Sequence, residues 1–503
     1  MKRIIAVLLI VSLGFTLCAC NSNKKGDETV STDEYVLPTP VVNSDFSLPF
    51  TSSSDFNPYE SRSSLNRDII PAIYESLFTG TSDGQGKKLL ASTSDVKGNR
   101  VTVKIQQDVK FSDGTKLISK HVKSSYEAAK NSGYYKAQLS KIESVKIVDN
   151  YTIVFNLSYA NDMILNVLDF PITKTVKNGF VGTGKYYIKY LEDTPYLQVN
   201  TNHREYSEKW NEQIALYDMA GTSGPIYPFK SNKISVYKND LSGEEYVNLS
   251  PQTVSVDLNN LVYVGVNTEW AGSLTSVDWV RQAVNIGIDR NAIAASSFLG
   301  QSKATVTPFK SEFYKLQNIE MIGTAGDLEK AVGILERNGY KNINSDGVRT
   351  NGSTALKVNV IVCTENPYKL TVAENFKTQL NKLGFGVTIK EYETGEEFLL
   401  ALEEGNYSFY IGEAMMTPDC DLTEFFSVGG NLSYGIGEEI YEFYTAYKKG
   451  ESNAQEFTES FSANVPFLPL FYRKAIVSVN PNIKGFDNDG DYSAICNWKI
   501  TEA

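Results

Sequence analysis

Between residues 356 and 414 the hydrophobic pattern switches repeatedly between two periods, and this alternation constrains the fold more than any other feature of the chain. Residues 356–363 read as a buried strand, 370–383 have helical periodicity, 385–392 are strand, 396–404 helix and 407–414 strand again. A β-α-β-α-β order predicts a lobe of α/β type, here spanning about 262–465. Residues 278–299 add one or two amphipathic helices, with Val280, Ala283, Val284, Ile288 and Ile293 on the apolar side.

A different pattern precedes it. Val101, Val103 and Ile105 alternate with polar residues, as in a half-buried strand. Residues 142–147 and 151–157 read as a hairpin turning at Asp149-Asn150, and 119–129 look helical. Residues 85–170 are therefore expected to form a small α+β unit. At roughly 150 residues per domain, 503 residues allow about three such units.

The N-terminus sets the compartment. Lys2 and Arg3 precede a mostly apolar run over 4–17, too short for a comfortable permanent span and laid out like a secretory signal. The run ends in LCAC at 17–20, which resembles a bacterial lipobox and makes Cys20 the expected acylated N-terminus after removal of 1–19. Residues 20–42, polar at the start, are expected to be a disordered tether on the outer face of a membrane. Acyl chains contribute about 0.8 kcal/mol per buried methylene, so the anchor needs no transmembrane helix. Losing Lys2 and Arg3 leaves 46 basic residues against 59 acidic, a mature charge of −13.

That acidity disfavours nucleic acid as a partner. Only two His are present, which argues against a His-rich metal site and His-dependent catalysis. Cys363, Cys420 and Cys496 are widely spaced with no CxxC, so buried thiols are expected rather than a disulfide framework or zinc ribbon, with one bridge, such as Cys363 to Cys420, as the alternative in an oxidising compartment. The GFVGTGK run at 179–185 nearly matches a phosphate-binding loop, but Tyr186 stands where a hydroxyl for magnesium is needed, and 186–191 alternate like a strand instead of opening a helix. SxxK at Ser94–Lys97 and Ser235–Lys238 lacks accompanying SDN or KTG elements, and His121 and His203 read as surface residues. No catalytic constellation, cofactor site or metal site is expected. Thirty Tyr and 25 Phe instead offer core filling and aromatic walls for a cleft.

Several segments, in order, resemble the family-5 extracellular solute-binding proteins of ABC importers. They are AIYESLF (72–78), similar to a "YEgL" helix; DVKFSDGTKL (108–117), similar to the family signature; and GTG (182–184), similar to "GTGPY". Asn267-Thr268, VRQA (280–283) and IDR (288–290) follow, then VPFLPLFY (465–472) and PNIKG (481–485). The resemblance implies a hinge-connected, two-lobed periplasmic-binding-protein-like fold with the small α+β subdomain added. Lobe I would be discontinuous, from 43–84, 171–261 and 466–503, carrying subdomain 85–170; lobe II would be 262–465. It also implies a monomer that holds a small solute, foremost a short peptide, between its lobes and passes it to an ABC permease with its ATPase.

Peptide-binding members carry an acid in a pattern like "WgaDypDPD" that pairs with the peptide amine. The matching run, IGEAMMTPDCD (411–421), places Met415 or Met416 there. Glu413, on the same strand face as Met415 by period two, is the expected displaced anchor. The remaining expected ligand contacts are Phe56 and Asn57, the aromatic walls Tyr434 and Tyr472, and Arg473 for a ligand carboxylate. A chelated nickel ion is the alternative solute, and a signalling or structural lipoprotein without import is the alternative role.

Overall fold

Two long strands, Thr253–Val266 and Phe467–Val479, run antiparallel through the middle of the molecule and belong to two cores at once. The computed structural model describes residues 42–243, 246–270, 272–486 and 492–500. The expected signal, Cys20 and nearly all of the tether fall on 1–41, outside the described residues. Val262, Val264 and Val266 pack with Leu468, Leu470 and Phe471 in one core, whereas Val477 and Val479 join Leu48, Ile69 and Trp498 in another. The burial of Thr253–Val266 records the crossing: it alternates up to Asn260 and is continuous from Leu261. One face is covered in the first half and both in the second.

Between the halves the pairing slips. Asp257 faces Lys474 and Leu261 faces Tyr472, so the first strand spends more residues than its partner over the same stretch. Such a bulge bends the strand locally. It falls where the two cores part.

The second lobe contains the expected alternation. Lys357–Cys363 pairs in parallel with Gly386–Tyr392 and with Phe409–Met415. Helices Pro367–Leu383 and Gly395–Glu404 make the crossovers. The first begins earlier than its apolar spacing suggests, because the Asn366 side chain accepts from the Tyr368 amide and Pro367 needs no amide partner. It stops at Gly384, left-handed with φ 88°. Val372, Phe376, Leu380 and Leu383 form its buried face. Helices Asp278–Gly287 and Arg290–Ser296 complete the layer.

In the first lobe a four-stranded sheet, ordered Ser47–Phe50, Gln213–Asp218, Thr194–Val199, Tyr186–Leu191, covers helix Ser64–Ile73. The small unit is an antiparallel sheet, ordered Ala91–Lys97, Arg100–Ile105, Thr152–Leu157, Ile142–Asp149, with helix Ser119–Lys130 against it.

Three expectations are corrected. The "YEgL" segment is not helical beyond Ile73, because Tyr74 is already extended and the chain continues to the short strand Phe78–Thr79. The glycines of 182–184 are pressed against that helix end: the Gly184 amide donates to the Ile73 carbonyl at 2.9 Å, and a Cβ on Gly184 would lie 2.4 Å from the Ala72 oxygen. The stretch from 466 onward does not belong wholly to lobe I, since its strand packs Leu468, Leu470 and Phe471 into the second lobe first. His203 is buried, its ring on Trp210 at 5.4 Å and its Nε2 3.7 Å from Glu75. Cys363, Cys420 and Cys496 are buried free thiols.

Candidate functional site

Where the two lobes face each other lies a cavity of about 470 Å³. Its floor is the slipped region of the crossing strands, represented by Asp257, Asn259 and Tyr472. The first lobe and its subdomain contribute residues 79–82 with Met163, Asn166 and Asp169; the second contributes Lys310, Phe313 and the 416–420 segment. Its size is within the range of about 300–1,000 Å³ usual for small-ligand pockets.

The rim is fastened by polar contacts between lobes. Lys141 forms ion pairs with Asp419 and, at 3.3 Å, with Asp421. Asn161 Nδ2 donates to Asp419 at 2.7 Å, Asn166 Nδ2 to the Pro418 carbonyl at 3.1 Å and Tyr159 Oη to Asp421 at 3.2 Å. The Tyr314 amide donates to the Asp83 carbonyl at 3.1 Å. The lobes are therefore closed on each other at the subdomain.

Among the expected ligand contacts, Tyr472 lines the cavity. Its hydroxyl donates to the Pro308 carbonyl at 2.6 Å, which holds the 305–310 loop in place and leaves the ring as a wall. Glu413 and Arg473 are brought together, but with each other: they form an ion pair, Lys369 approaches Glu413 at 3.3 Å, and Asn260 Nδ2 donates to it at 2.8 Å. Arg473 also donates to the Asp240 carbonyl and lies 4.5 Å over the Phe298 ring. Burial pushes the Glu413 carboxyl up, yet Arg473 and Lys369 outweigh it and hold it below the ordinary range. Neither residue belongs to the cavity lining.

Met415 is 72 % exposed, while its neighbour Met416 is buried and faces the cavity. Phe56 stacks on Phe50 at 5.8 Å, the Asn57 side chain accepts from the Tyr59 amide at 3.0 Å, and Tyr434 packs on the aromatic core of the second lobe. These are also outside the lining.

Sequence reasoning missed Asp169 and Lys310. Burial raises the Asp169 carboxyl to about 7 and pushes the Lys310 ammonium down. A signal was present for the first: Asp169 is the one acid in the apolar run LNVLDFPI at 165–172. Among the described residues no group of three His, Cys, Asp or Glu could hold a metal ion. Both His Nδ1 atoms accept from nearby amides, His121 from Ile118 at 3.1 Å and His203 from Glu205 at 3.0 Å.

The family model of bacterial extracellular solute-binding proteins, family 5 (middle), matches residues 70–431, more than half of the chain. The chain belongs to that family. As a family-5 protein it shares the two-lobed α/β fold of solute-binding proteins that work with ABC permeases. It is 22% identical over 468 residues to the nickel-binding protein NikA of Staphylococcus aureus, covering 88% of this chain and 90% of the relative. It is also 22% identical over 363 residues to the oligopeptide-binding protein AppA of Bacillus subtilis, 66% of each. The crystal structure of a nickel ABC transporter protein from Bacillus halodurans superposes with a TM-score of 0.70 at 17% identity, over 89% of this chain and 98% of that one. No helix among the described residues is long and apolar enough to cross a membrane.

Proposed function

We propose that this family-5 protein is a lipoprotein, held through acylated Cys20 on the outer face of the cell membrane, that captures short peptides and delivers them to an ABC permease without altering them. The observation that carries the reading is the interlobe cavity, walled by Met163, Phe313, Met416 and Tyr472, with polar groups placed among them. Apolar walls interleaved with Thr81, Asn166, Asn259 and Thr417 suit a peptide, whose backbone repeats the same N–H and C=O groups. The flexible thioethers of Met163 and Met416 accommodate varied side chains. Similarity to an oligopeptide-binding relative supports the peptide class.

Mass spectrometry of small molecules released by denaturing the protein purified from its host tests the ligand class. A mixture of short peptides is expected; a single non-peptide solute overturns the reading. Intact mass of the N-terminal fragment tests the anchor, with a diacylglyceryl adduct on Cys20 expected and an unmodified Cys20 excluding it.

The nickel-binding relative motivates a second reading, a chelated metal. With both His Nδ1 atoms occupied and no metal-ligand group among the described residues, such a metal would be held through its organic chelator.

A further inference from the structure

We propose that Asp169 and Lys310 are the two charge poles of the interlobe cavity, and that its ligand is a zwitterion whose ammonium sits on Asp169 and whose carboxylate sits on Lys310. The inference deepens the peptide reading and rests on it for the ligand class.

The charged side chains on the cavity wall are Asp169, Asp257 and Lys310. Asp257 already has a partner, the Lys474 ammonium at 3.3 Å. The other two have none among the described residues. The Asp169 Oδ1 accepts from Gln138 Nε2 at 2.5 Å, and no cation comes within ion-pair distance of the carboxylate. Its Oδ2 lies beside Gly80, 3.9 Å from where a Cβ on that residue would stand. Asp169 also borders a neighbouring hollow of about 400 Å³ through Thr79 and Gly80, which gives a side chain next to the ammonium somewhere to go.

Lys310 comes from the other lobe. Its ammonium has no carboxylate within ion-pair distance among the described residues and stands 5.7 Å from the Tyr472 ring centroid. The loop beneath it is fixed by the Tyr472 hydroxyl on Pro308 and by the Thr305 hydroxyl, whose single proton is shared between the Thr307 and Phe309 carbonyls at 2.9 and 3.1 Å.

Asp169 and Lys310 are both half-buried; a charge partly withdrawn from water without a partner is unfavourable, and two of opposite sign on opposing lobes are relieved together by one molecule carrying both complements. Such a ligand ties the lobes, because each pole belongs to one of them. Asp169 thus supplies the amine recognition that Met416, facing the same cavity, cannot.

The test uses the purified full-length chain in detergent and a library of random di- and tripeptides in four forms: free, N-acetylated, C-amidated and doubly blocked. Thermal shift reads binding. The free library is expected to raise the melting temperature, and either block to weaken half-maximal binding at least tenfold. Asp169→Asn should abolish the penalty for N-acetylation and keep that for amidation; Lys310→Met should do the reverse, and Lys310→Arg should restore the wild-type pattern. Equal binding of all four forms overturns the two-pole assignment and leaves the peptide reading standing. If free amino acids bind with the same variant pattern while peptides do not, the poles stand and the peptide reading falls. Binding of neither class overturns both.

Discussion

Lys141 and Asp419, 278 positions apart in the chain, meet as an ion pair with both side chains shut off from solvent. One comes from the small subdomain and the other from the segment that follows the strand Phe409–Met415, so the pair closes the lobes beside the cavity. Asp421 adds a second carboxylate at 3.3 Å from the same ammonium, and Tyr444 Oη donates to it at 2.8 Å. Burial alone would lower the Lys141 value; the two carboxylates outweigh it and raise it. Burial likewise opposes the Asp421 charge, and Lys141 with the surrounding hydroxyls holds its carboxyl far below the ordinary range.

Lys141→Met removes the cation and leaves two acids facing each other without it. Breaking a buried pair from one side costs about 3–5 kcal/mol. The expected result is that loss in chemical denaturation at pH 7, together with a larger radius of gyration by X-ray scattering as the subdomain lets go. An unchanged radius would show that closure does not depend on the pair.

Glu413→Gln tests what the strand acid does. It takes the charge away from Arg473 and Lys369 while keeping an acceptor for Asn260, and about 3 kcal/mol of stability should go with it. Because the folded-state value of Glu413 is depressed, its contribution is present above the unfolded value near 4.3 and disappears as pH falls through the folded one. The gap between wild type and variant should therefore close on acidification below pH 4. Peptide affinity at pH 7 should be unchanged, since Glu413 is not on the cavity wall; a tenfold loss would return it to the site.

Gly184→Ala probes the packing of the first lobe. Its Cβ would come within 2.4 Å of the Ala72 oxygen and 2.5 Å of the Ile73 carbonyl carbon, both backbone atoms that cannot rotate away. A loss of about 3 kcal/mol or more is expected, at the upper end for overpacking. Gly98→Ala makes the contrast: nothing lies within 4 Å of its Cβ, so only the strain of φ 59° opposes it and the loss should be smaller.

The alternation at 356–414 was legible because each strand and helix there has its own period, and those elements stand within a few residues of where the spacing puts them. The cavity was not legible in the same way. Glu413 lies on the strand face that period two assigns, but whether that face meets ligand or Arg473 depends on a strand 60 positions away. Met415 and Met416 show the same limit, since the end of the pairing with Asn260 decides which of the two turns inward. Lys310 carries no pattern at all: it acquires its place from Tyr472 holding the Pro308 carbonyl. A lone acid in an apolar run, as at Asp169, is the kind of signal that does survive in one dimension.

Asp169→Asn makes that signal measurable. Burial lifts the carboxyl to about 7 in the folded chain, against about 3.9 when unfolded; Gln138 and the charge of Arg67 pull it down, and the charge of Asp419 adds to the rise. Lys141, paired with Asp419, and the Tyr135 hydroxyl are the other titratable groups nearby. Between pH 4 and 7 the unfolded chain has already released this proton while the folded chain still holds it, so this group's contribution to stability falls as pH rises and levels off above 7. The asparagine variant lacks that slope. Without ligand, it should melt with wild type at pH 3 and increasingly above it through pH 7, with the full difference at pH 8. Adding free-ended peptides at pH 8 should reverse the order, because an ammonium on the ionised carboxylate stabilises wild type alone. A ligand-free gap that stays flat from pH 3 to 8 would mean that the carboxylate at 169 is solvated and carries no buried charge.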